Sequence, residues 1–395
     1  MLGDKKILLV HSSSDLYGSD RCLIGIVKGI VDQGAEPHVA VPSAGPLVEE
    51  LSRLGVQVHI LDTCVFRRNI LSLGGFAHLV LRAPVSIFRL AYLMQREKFD
   101  LVHTNTGVTL GGAIAAKLTG TPHIWHFREL LNEFGFFLKL YQPLVVLLSN
   151  RIIFITGAVR GQFGQEAREI GSVIHDGIPV HDYEVKEKIS SGRFVVATVG
   201  RLAPYKGQDV LLQALARVKE AGVDLEAYIV GDVYADRHGH RHSLMTLARQ
   251  LSLQDQVHFT GFKKQIQPYL QKCDVFVMPS IRPEGLGIVM LEAMAASRAV
   301  IAADGGGVRE VITDGKVGLL VPPGDSKRMA EAIIRLAKDE KERNRLARNG
   351  EKKAKGEFSQ GRMVDAVMDL YDEVISSRPG RASDGHTAEP GRIKP

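Results

Sequence analysis

Short apolar runs alternate with longer segments of helical periodicity along most of the 395-residue chain. The short runs are rich in leucine or β-branched residues and have the length of strands, whereas the longer segments repeat apolar residues at helical spacing. The predicted strands cover 6–11, 36–41, 56–60, 100–104, 122–126, 151–155, 172–175, 194–199, 225–230, 256–260, 275–278, 299–303 and 318–321. The predicted helices lie near 20–33, 44–54, 75–97, 109–119, 135–148, 207–222, 242–252, 287–297, 326–338 and 365–375. Such alternation predicts parallel sheets that are covered by helices on both faces.

The alternation occurs twice, and its two halves begin alike. Each half starts with a strand, a glycine-bearing loop, a long helix and a further strand, as in ILLVHSSSDLYGSDRCLIGIVKGI and VVATVGRLAPYKGQDVLLQALARV. The polar stretch DGIPVHDYEVKEKISSG between them is typical of a linker. We therefore expect two doubly wound α/β, Rossmann-like domains over 1–185 and 190–358, with a ligand between the carboxyl ends of their strands. Six of the eighteen residues over 378–395 are Gly or Pro, which predicts a disordered tail.

The composition is that of an ordinary globular protein, with 45% hydrophobic and 24% charged residues. The three cysteines are widely spaced and form no Cys-x-x-Cys pair, which argues against a disulfide framework and a thiolate zinc site. The first residues lack the features of a secretory leader, and no uncharged apolar run approaches the roughly 18 residues of a membrane span. These observations predict a soluble, cytoplasmic protein. The formal charge of +6 accompanies only 6% aromatic residues, which argues against a nucleic-acid partner.

Two segments of the first half combine basic and apolar residues. The segment 64–100 carries six Lys or Arg residues against two acidic ones, and the segment 134–151 places Lys139 and Arg151 beside a run of Phe and Leu. Basic amphipathic segments are typical of proteins that contact an anionic membrane surface. They are also typical of core helices with a solvated basic face, and both interpretations stay open here.

The segment PSIRPEGLGIVMLEAMAAS carries two glutamates eight residues apart, Glu284 and Glu292. Glu284 follows a predicted strand directly, and Glu292 lies about one and a half turns into the next helix. Gly285 and Gly287 flank the helix start, where glycine allows backbone N–H groups to approach an anionic ligand. Two carboxylates at this end of a parallel strand suit the vicinal hydroxyls of a sugar and a ribose. The alternative, a pair of surface glutamates, is disfavoured by the small apolar context MLEAMAA of Glu292.

Two further loops have features of phosphate sites. VGRLAPYKGQDVL places Arg201 and Lys206 between a predicted strand and a helix, and two cations at a helix N-terminus suit a pyrophosphate. Taken alone, they would equally be two solvated cations of a surface loop. SSSDLYGSDR places Gly18 where a tight turn would bring backbone N–H groups against a phosphate. It is not the G-x-G-x-x-G fingerprint, which argues against a dinucleotide oxidoreductase.

In these motifs the chain resembles the retaining, two-domain GT-B glycosyltransferases of family 4, also called glycosyl transferases group 1, over about residues 5–376. Glu284 and Glu292 match the family's E-x7-E pattern, GRLAPYKG its basic pair and LYGSD its glycine loop. GGVREVITDGKVGLLVPPGD resembles the C-terminal core of that family. The resemblance also implies a last helix over 360–376 that crosses back onto the first domain.

The resemblance implies a role for each matched residue. Arg201 and Lys206 would neutralise the diphosphate of a nucleotide-sugar donor as it leaves. Glu284, with the backbone of Gly285–Gly287, would hold the transferred sugar, and Glu292 would accept hydrogen bonds from the ribose. Gly18 would lie in the loop that approaches the donor from the first domain.

Three features need separate comment. His126, in IWHFREL, matches a histidine that faces the reaction centre in the family; the alternative is a satisfied histidine at a strand end. The resemblance implies that Leu286 would lie beside the donor sugar, at a position where many relatives carry an aromatic residue. The stretch VGDVYADRHGHRHSLM is longer than in relatives, and we interpret its three alternating histidines as part of a flexible polar loop or, second, as a metal site: His238, His240 and His242. No D-x-D pair accompanies the motifs, so we expect no metal requirement and no cofactor.

These features predict a hexosyltransferase that moves a sugar from a UDP- or GDP-sugar, with retention, to a hydroxyl acceptor. We expect a lipid-linked or polysaccharide acceptor at the inner membrane surface, contacted through 64–100 and 134–151; a soluble small-molecule acceptor is the alternative. A sugar-nucleotide epimerase of the same architecture is the competing enzyme class. A non-catalytic sugar-nucleotide sensor is the third class, and the intact set of two cations and two glutamates argues against it.

Overall fold

The structure is a computed structural model that describes residues 2–65, 73–131, 135–183, 192–233 and 238–377. Within these residues the chain forms two parallel sheets, one of seven strands and one of six, and each sheet is packed by helices. The expected pair of Rossmann-like α/β domains is therefore confirmed. The tail predicted over 378–395 lies outside the described residues.

The strands coincide closely with the predicted ones. In chain order they are β1 (Lys6–Val10), β2 (Glu36–Val41), β3 (Gln57–Ile60), β4 (Leu101–Thr104), β5 (His123–Phe127), β6 (Arg151–Phe154), β7 (Gly171–Val173), β8 (Phe194–Val199), β9 (Leu225–Val230), β10 (Val257–Gly261), β11 (Val275–Met278), β12 (Ala299–Ala303) and β13 (Leu319–Val321). They pair in the orders β3-β2-β1-β4-β5-β6-β7 and β10-β9-β8-β11-β12-β13. In each sheet the strand order reverses beside the first strand of that half, which is where open α/β sheets bind ligands.

The helices fill the intervals between the strands. They are α1 (Gly18–Asp32), α2 (Pro46–Arg53), α3 (Leu73–Glu97), α4 (Gly111–Thr119), α5 (Phe136–Leu148), α6 (Gly157–Arg160), α7 (Gln165–Glu169), α8 (Gln208–Glu220), α9 (His238–Gln250), α10 (Gln267–Lys272), α11 (Ile288–Ala295), α12 (Val308–Val311), α13 (Ser326–Lys338), α14 (Glu340–Glu357) and α15 (Gln360–Ser376). Short 3₁₀ turns cover Val180–Tyr183 and Pro204–Lys206. Among the described residues, no helix has the length and apolarity needed to cross a membrane.

Each sheet is buried because successive side chains of its strands enter different apolar layers. In the first sheet, Ile7 and Leu9 pack with α1, α2 and α15, whereas Leu8 and Val10 pack with α3 and α4. In the second sheet, one layer packs with α8, α9 and α13, and the other with α11. The second layer is continuous with side chains of the first domain, so one apolar cluster joins the two sheets.

Two helices near the end of the chain show why some elements are hard to predict. The periodic pattern predicts nothing over α14, because that helix is strongly polar and buries only a few small or apolar side chains. Asp339 caps it by accepting a hydrogen bond from the Glu342 N–H at 2.8 Å. The final helix, α15, packs against α1 of the first domain, and its Tyr371 hydrogen-bonds the buried His103.

Candidate functional site

A cavity of about 470 Å³ lies between the carboxyl ends of the strands of the two sheets. The loops after β1, β8 and β11 contribute to its walls, at the points where the strand orders reverse. The polar side chains of its two walls include Ser12, Ser13, Asp20, Arg128, Glu129 and Asp176 from the first domain, and Arg201, Lys206, Gln208, Ser280 and Glu284 from the second. The cavity therefore combines the residues of all three loops that the sequence singles out.

Lys206 and Glu284 form an ion pair in this cavity, with Nζ 2.6 Å from Oε1. The 3₁₀ turn Pro204–Lys206 supplies the lysine, and the loop after β11 supplies the glutamate. Ser280 also donates a hydrogen bond to Oε1 of Glu284, at 2.5 Å. Burial by itself would raise the pKa of Glu284, but the charge of Lys206 and these hydrogen bonds hold that pKa below its ordinary value. Glu284 is thus an ionised carboxylate beside a cation.

Arg201 lies in the loop after β8 and contacts the first domain. Its guanidinium carbon is 4.3 Å from the centre of the Tyr17 ring, within the range of a cation–π contact. Its Nη2 is 3.6 Å from Oδ2 of Asp15. Because Arg201 and Lys206 line the same cavity, the structure brings together the two cations that the sequence predicts at one site.

The loop Gly285–Gly287 is tightly enclosed. A Cβ at Gly285 would collide with the backbone oxygen of Arg128 from the first domain, so the close approach of the two domains requires glycine there. Gly287 has φ 90° and directly precedes α11, a backbone conformation that favours glycine. Leu286, between them, lines the cavity and is 2% exposed. Across the cavity, a Cβ at Gly18 would lie 3.1 Å from Ile288, so the N-terminal ends of α1 and α11 face each other.

Glu292 lies on α11 and is almost completely buried, at 2% exposure. Its Oε1 accepts hydrogen bonds from Nη1 of Arg21 at 2.9 Å and from the hydroxyl of Tyr183 at 2.5 Å. Its Oε2 has no hydrogen-bond partner among the described residues. Burial raises the pKa of Glu292 above its ordinary value, although Arg21 and Tyr183 oppose that effect. Glu292 and Arg21 also line a smaller cavity of about 50 Å³ beside the main one.

The role of His126 at the reaction centre remains a prediction, and its buried Nε2 has no hydrogen-bond partner among the described residues. This histidine is completely buried in β5 and is not among the residues that line either cavity. Its ring stacks on that of His103 with centroids 5.3 Å apart, and burial, together with the charge of Arg128, lowers its pKa well below the ordinary value. The side chain that reaches the main cavity from this segment is Arg128, two residues later.

Arg128, Asp176 and Tyr183 are among the residues at or beside the site that sequence analysis misses. Arg128 forms a buried ion pair with Asp176, and both line the main cavity. Asp176 and Tyr183 belong to the stretch predicted to be a linker. A signal for Asp176 does exist, because it follows the carboxyl end of β7, where ligand-binding residues of parallel sheets concentrate. Tyr183 lies in a polar stretch with no pattern that distinguishes it.

The three alternating histidines are not in a loop, because α9 begins at His238. Positions 238 and 242 share one face of this helix, whereas position 240 lies on another face, so the three positions do not form a single cluster. Among the residues that the structure describes, no group of three or more His, Cys, Asp or Glu side chains is arranged to hold a metal ion. The independence from metal expected from the sequence remains a prediction.

The basic segment 64–100 is described except for 66–72. Its helix α3 exposes Phe88 at 71% and Tyr92 at 58%, one turn apart on the same face. A groove of about 430 Å³ runs beside them and is lined also by Arg89, Arg96 and the edge strand β3. In the second segment, 134–151, residue 134 lies outside the described residues, and α5 exposes Leu140 and Leu147 at 58% and 60%.

Comparison with known proteins finds matches to both domains. Residues 181–353 match the family model described as glycosyl transferases group 1, and residues 18–170 match the glycosyl transferase 4-like domain. The putative glycosyltransferase EpsD of Bacillus subtilis is 28% identical over 326 residues, which are 74% of this chain and 83% of that protein. The lipopolysaccharide core biosynthesis glycosyltransferase LpsE of Rhizobium meliloti is 35% identical over 185 residues, 47% of this chain and 50% of that protein. The crystal structure of HepE from Anabaena in complex with UDP and glucose superposes with a TM-score of 0.79 and 26% identity, covering 93% of this chain and 100% of that one.

Proposed function

We propose a donor and a reaction for this chain, which is a glycosyltransferase built from a glycosyl transferase 4-like domain and a glycosyl transferases group 1 domain. It moves a hexosyl group from a UDP-sugar to a hydroxyl of an acceptor, with retention of configuration at the anomeric carbon. The observation that carries the proposal is the convergence of Arg201, Lys206 and Glu284 in one cavity at the switch points of both sheets. The choice of UDP rests on the similarity to HepE, whose structure contains UDP and glucose.

The two cations stabilise the leaving diphosphate. As the bond between the anomeric carbon and the phosphate oxygen breaks, negative charge develops on the diphosphate, and preorganised cations in a partly buried cleft stabilise that charge. Lys206 is held in place by its ion pair with Glu284 before the donor binds. Because two side-chain cations serve this role, the transfer requires no metal ion.

Glu284 binds the transferred sugar. Its ionised carboxylate accepts hydrogen bonds from sugar hydroxyls, and Lys206 and Ser280 fix its orientation from behind. Leu286 covers the sugar with an apolar side chain, and the N-terminal end of α11 adjoins the diphosphate. Retention follows from attack on the same face that the diphosphate leaves, with the acceptor hydroxyl giving its proton to a departing phosphate oxygen.

The nucleoside binds at the carboxylate of Glu292, which accepts hydrogen bonds from the ribose hydroxyls. Support for this role comes from Oε2 of that residue, a buried acceptor atom without a partner among the described residues. Arg128 and Glu129 line the cavity on the side of the first domain, where the proposal places the acceptor.

The acceptor is a lipid-linked or polysaccharide intermediate presented at the inner face of the membrane. The names of relatives that act in lipopolysaccharide core and capsular polysaccharide biosynthesis support this class. The exposed Phe88 and Tyr92, flanked by Arg89 and Arg96, give α3 the apolar and cationic groups that an anionic lipid surface attracts. The exposed leucines of α5 add a second apolar surface.

Slow hydrolysis of the donor, in which water takes the place of the acceptor, tests the reaction while the acceptor is unknown. The protein is incubated with UDP-glucose, UDP-galactose and UDP-N-acetylglucosamine, and the released sugar is followed by proton NMR before mutarotation. We expect UDP and the α-anomer of one sugar to appear together. Initial release of the β-anomer would contradict retention. Conversion of the UDP-sugar into a UDP-sugar of different configuration, without release of UDP, would identify an epimerase. Lys206→Met is the inactive control.

A further inference from the structure

Arg21 occupies the carboxylate that the proposed function assigns to the donor ribose. It lies in the first turn of α1, within the first domain, and its Nη1 is 2.9 Å from Oε1 of Glu292 on α11 of the second domain. The hydroxyl of Tyr183 donates to the same oxygen. These two contacts occupy Oε1, while Oε2 of the same carboxylate has no partner among the described residues.

The contacts around Arg21 close the same region of the cleft. Its Nη2 donates to the backbone oxygen of Lys264 at 2.9 Å, and the Tyr17 ring lies edge-on to Phe262 with centroids 5.8 Å apart. The cavity between these groups has a volume of only about 50 Å³, compared with about 470 Å³ for the adjoining cavity of Lys206 and Glu284. The part of the cleft beside Glu292 is therefore filled by side chains of the first domain.

We propose that Arg21 sets the affinity for the nucleotide by competing with the ribose hydroxyls for Glu292. This inference rests on the proposed function, since it takes Glu292 as the ribose ligand. A ribose whose two vicinal hydroxyls bind both oxygens of Glu292 needs Oε1 as well as Oε2, which lacks a partner in the described part of the chain, so full donor binding requires that Arg21 leave Oε1, and with it that α1 move away from α11. The Arg21–Glu292 pair holds the two domains together until a nucleotide replaces it.

The free energies of the contacts favour replacement of Arg21 by the ribose over binding of the ribose beside Arg21. Glu292 is 2% exposed, and a buried carboxylate that loses its partner without replacement is strongly destabilised. The ribose hydroxyls supply replacement donors, so the exchange is nearly balanced and the ion pair subtracts from the affinity for the nucleotide. Arg21 itself is 28% exposed, which allows its guanidinium to reach water once it leaves the carboxylate.

The test is the affinity of UDP for three single variants, measured by calorimetry. Arg21→Met keeps the volume of the side chain and removes the competing cation, and we expect UDP to bind about tenfold more tightly. Arg21→Lys retains the cation and should stay near the wild type. Lys264→Met removes another ion pair between the domains, with Glu50, and does not free Glu292, so it should leave the affinity unchanged. A thermal melt of each variant shows that it is folded.

Unchanged or weaker binding of UDP to Arg21→Met overturns the proposal. An equal gain of UDP affinity in Lys264→Met also overturns it, because the effect would then come from contacts between the domains in general. If the wild type binds no UDP, the proposed donor is wrong, and small-angle X-ray scattering then tests Arg21 by itself. We expect a larger radius of gyration for Arg21→Met than for the wild type and for Arg21→Lys. An unchanged radius in that case overturns the role of Arg21 in holding the domains.

Discussion

Nζ of Lys206 lies 2.6 Å from Oε1 of Glu284, so the cation proposed for the diphosphate and the carboxylate proposed for the sugar touch each other. The junction between these two halves of a nucleotide-sugar is the bond that a glycosyltransferase breaks. Under the proposed function, the ion pair therefore marks the reaction centre inside the cavity. It also orients both side chains before substrate arrives, which is the condition for effective electrostatic stabilisation.

Removal of either cation should abolish most of the turnover. Lys206→Met and Arg201→Met each remove one preorganised charge from the leaving diphosphate, and we expect kcat to fall by at least about 10²-fold. The release of UDP from the UDP-sugar measures this loss. Lys327→Met, at an exposed lysine of α13 in the same domain, is the matched control and should keep normal activity. A loss below tenfold in both active-site variants would refute the assigned role.

The two glutamates should affect the stability of the protein with opposite dependence on pH. The pKa of Glu284 is lowered in the folded state, so its contribution is present above the ordinary value of 4.5 and is lost as the pH falls through the folded pKa. The pKa of Glu292 is raised, so its contribution is present below 4.5 and is lost as the pH rises through the folded pKa. Urea denaturation between about pH 3 and pH 7 measures both effects, because the contribution of Glu284 changes below 4.5 and that of Glu292 above it.

Relative to the wild type, Glu284→Gln should therefore become less destabilised as the pH falls. Glu292→Gln should become less destabilised as the pH rises. If the loss of unfolding free energy depended on pH in the same way for both variants, the two carboxylates would contribute alike. That result would contradict the opposite pKa shifts of the two glutamates.

The buried ion pair between Arg128 and Asp176 should be sensitive to loss of one partner. Their side chains are 5% and 4% exposed, so Arg128→Met leaves a buried carboxylate without its cation and should lower the free energy of unfolding by about 3–5 kcal/mol. Arg328→Met breaks an exposed pair with Glu331 and should change that free energy by less than about 1 kcal/mol. Chemical denaturation of both variants makes the comparison, and equal losses would contradict the structural role of the buried pair.

Contact with the membrane should depend on α3. In flotation with vesicles that contain anionic lipid, we expect the wild type to rise with the vesicles at low salt and less at high salt, because salt screens the arginines. Phe88→Ser combined with Tyr92→Ser removes the exposed apolar side chains and should reduce flotation. Val31→Ser, at an exposed apolar position of α1, is the control. Absence of flotation at low salt would exclude the membrane contact.

The sequence is sufficient to predict the strands of both sheets, because buried parallel strands consist of short, strongly apolar runs. The thirteen strands of the described residues lie within about two residues of their predicted positions, and the bounds of β2, β8, β9, β11 and β12 agree fully. The polar helix α14 is not predicted, since its stability rests on capping and on a narrow buried face rather than on an apolar stripe. The histidines of α9 were assigned to a loop for a similar reason, as a polar helix start has no periodic signal.

The site is predictable only as far as each loop contains its own signal. Arg201, Lys206 and Glu284 follow strands and carry charge, and the structure brings them into one cavity. Contacts between distant parts of the chain have no such local signal. Arg21 and Glu292 are 271 residues apart, and the approach of α1 to α11 that joins them depends on how the two domains pack. A strand-end position such as that of His126 does not by itself reveal which side chain reaches the cavity.

The binding of UDP in the presence of EDTA tests the central claim most directly. Wild-type protein and Lys206→Met are titrated with UDP by calorimetry, with EDTA and then with magnesium, and NAD serves as the competing ligand. We predict that UDP binds the wild type equally well in both buffers, and that Lys206→Met loses at least about tenfold in affinity, equivalent to about 1.4 kcal/mol. Binding of NAD in place of UDP, or UDP binding that appears only with magnesium and is unchanged in Lys206→Met, would contradict the metal-independent UDP-sugar site.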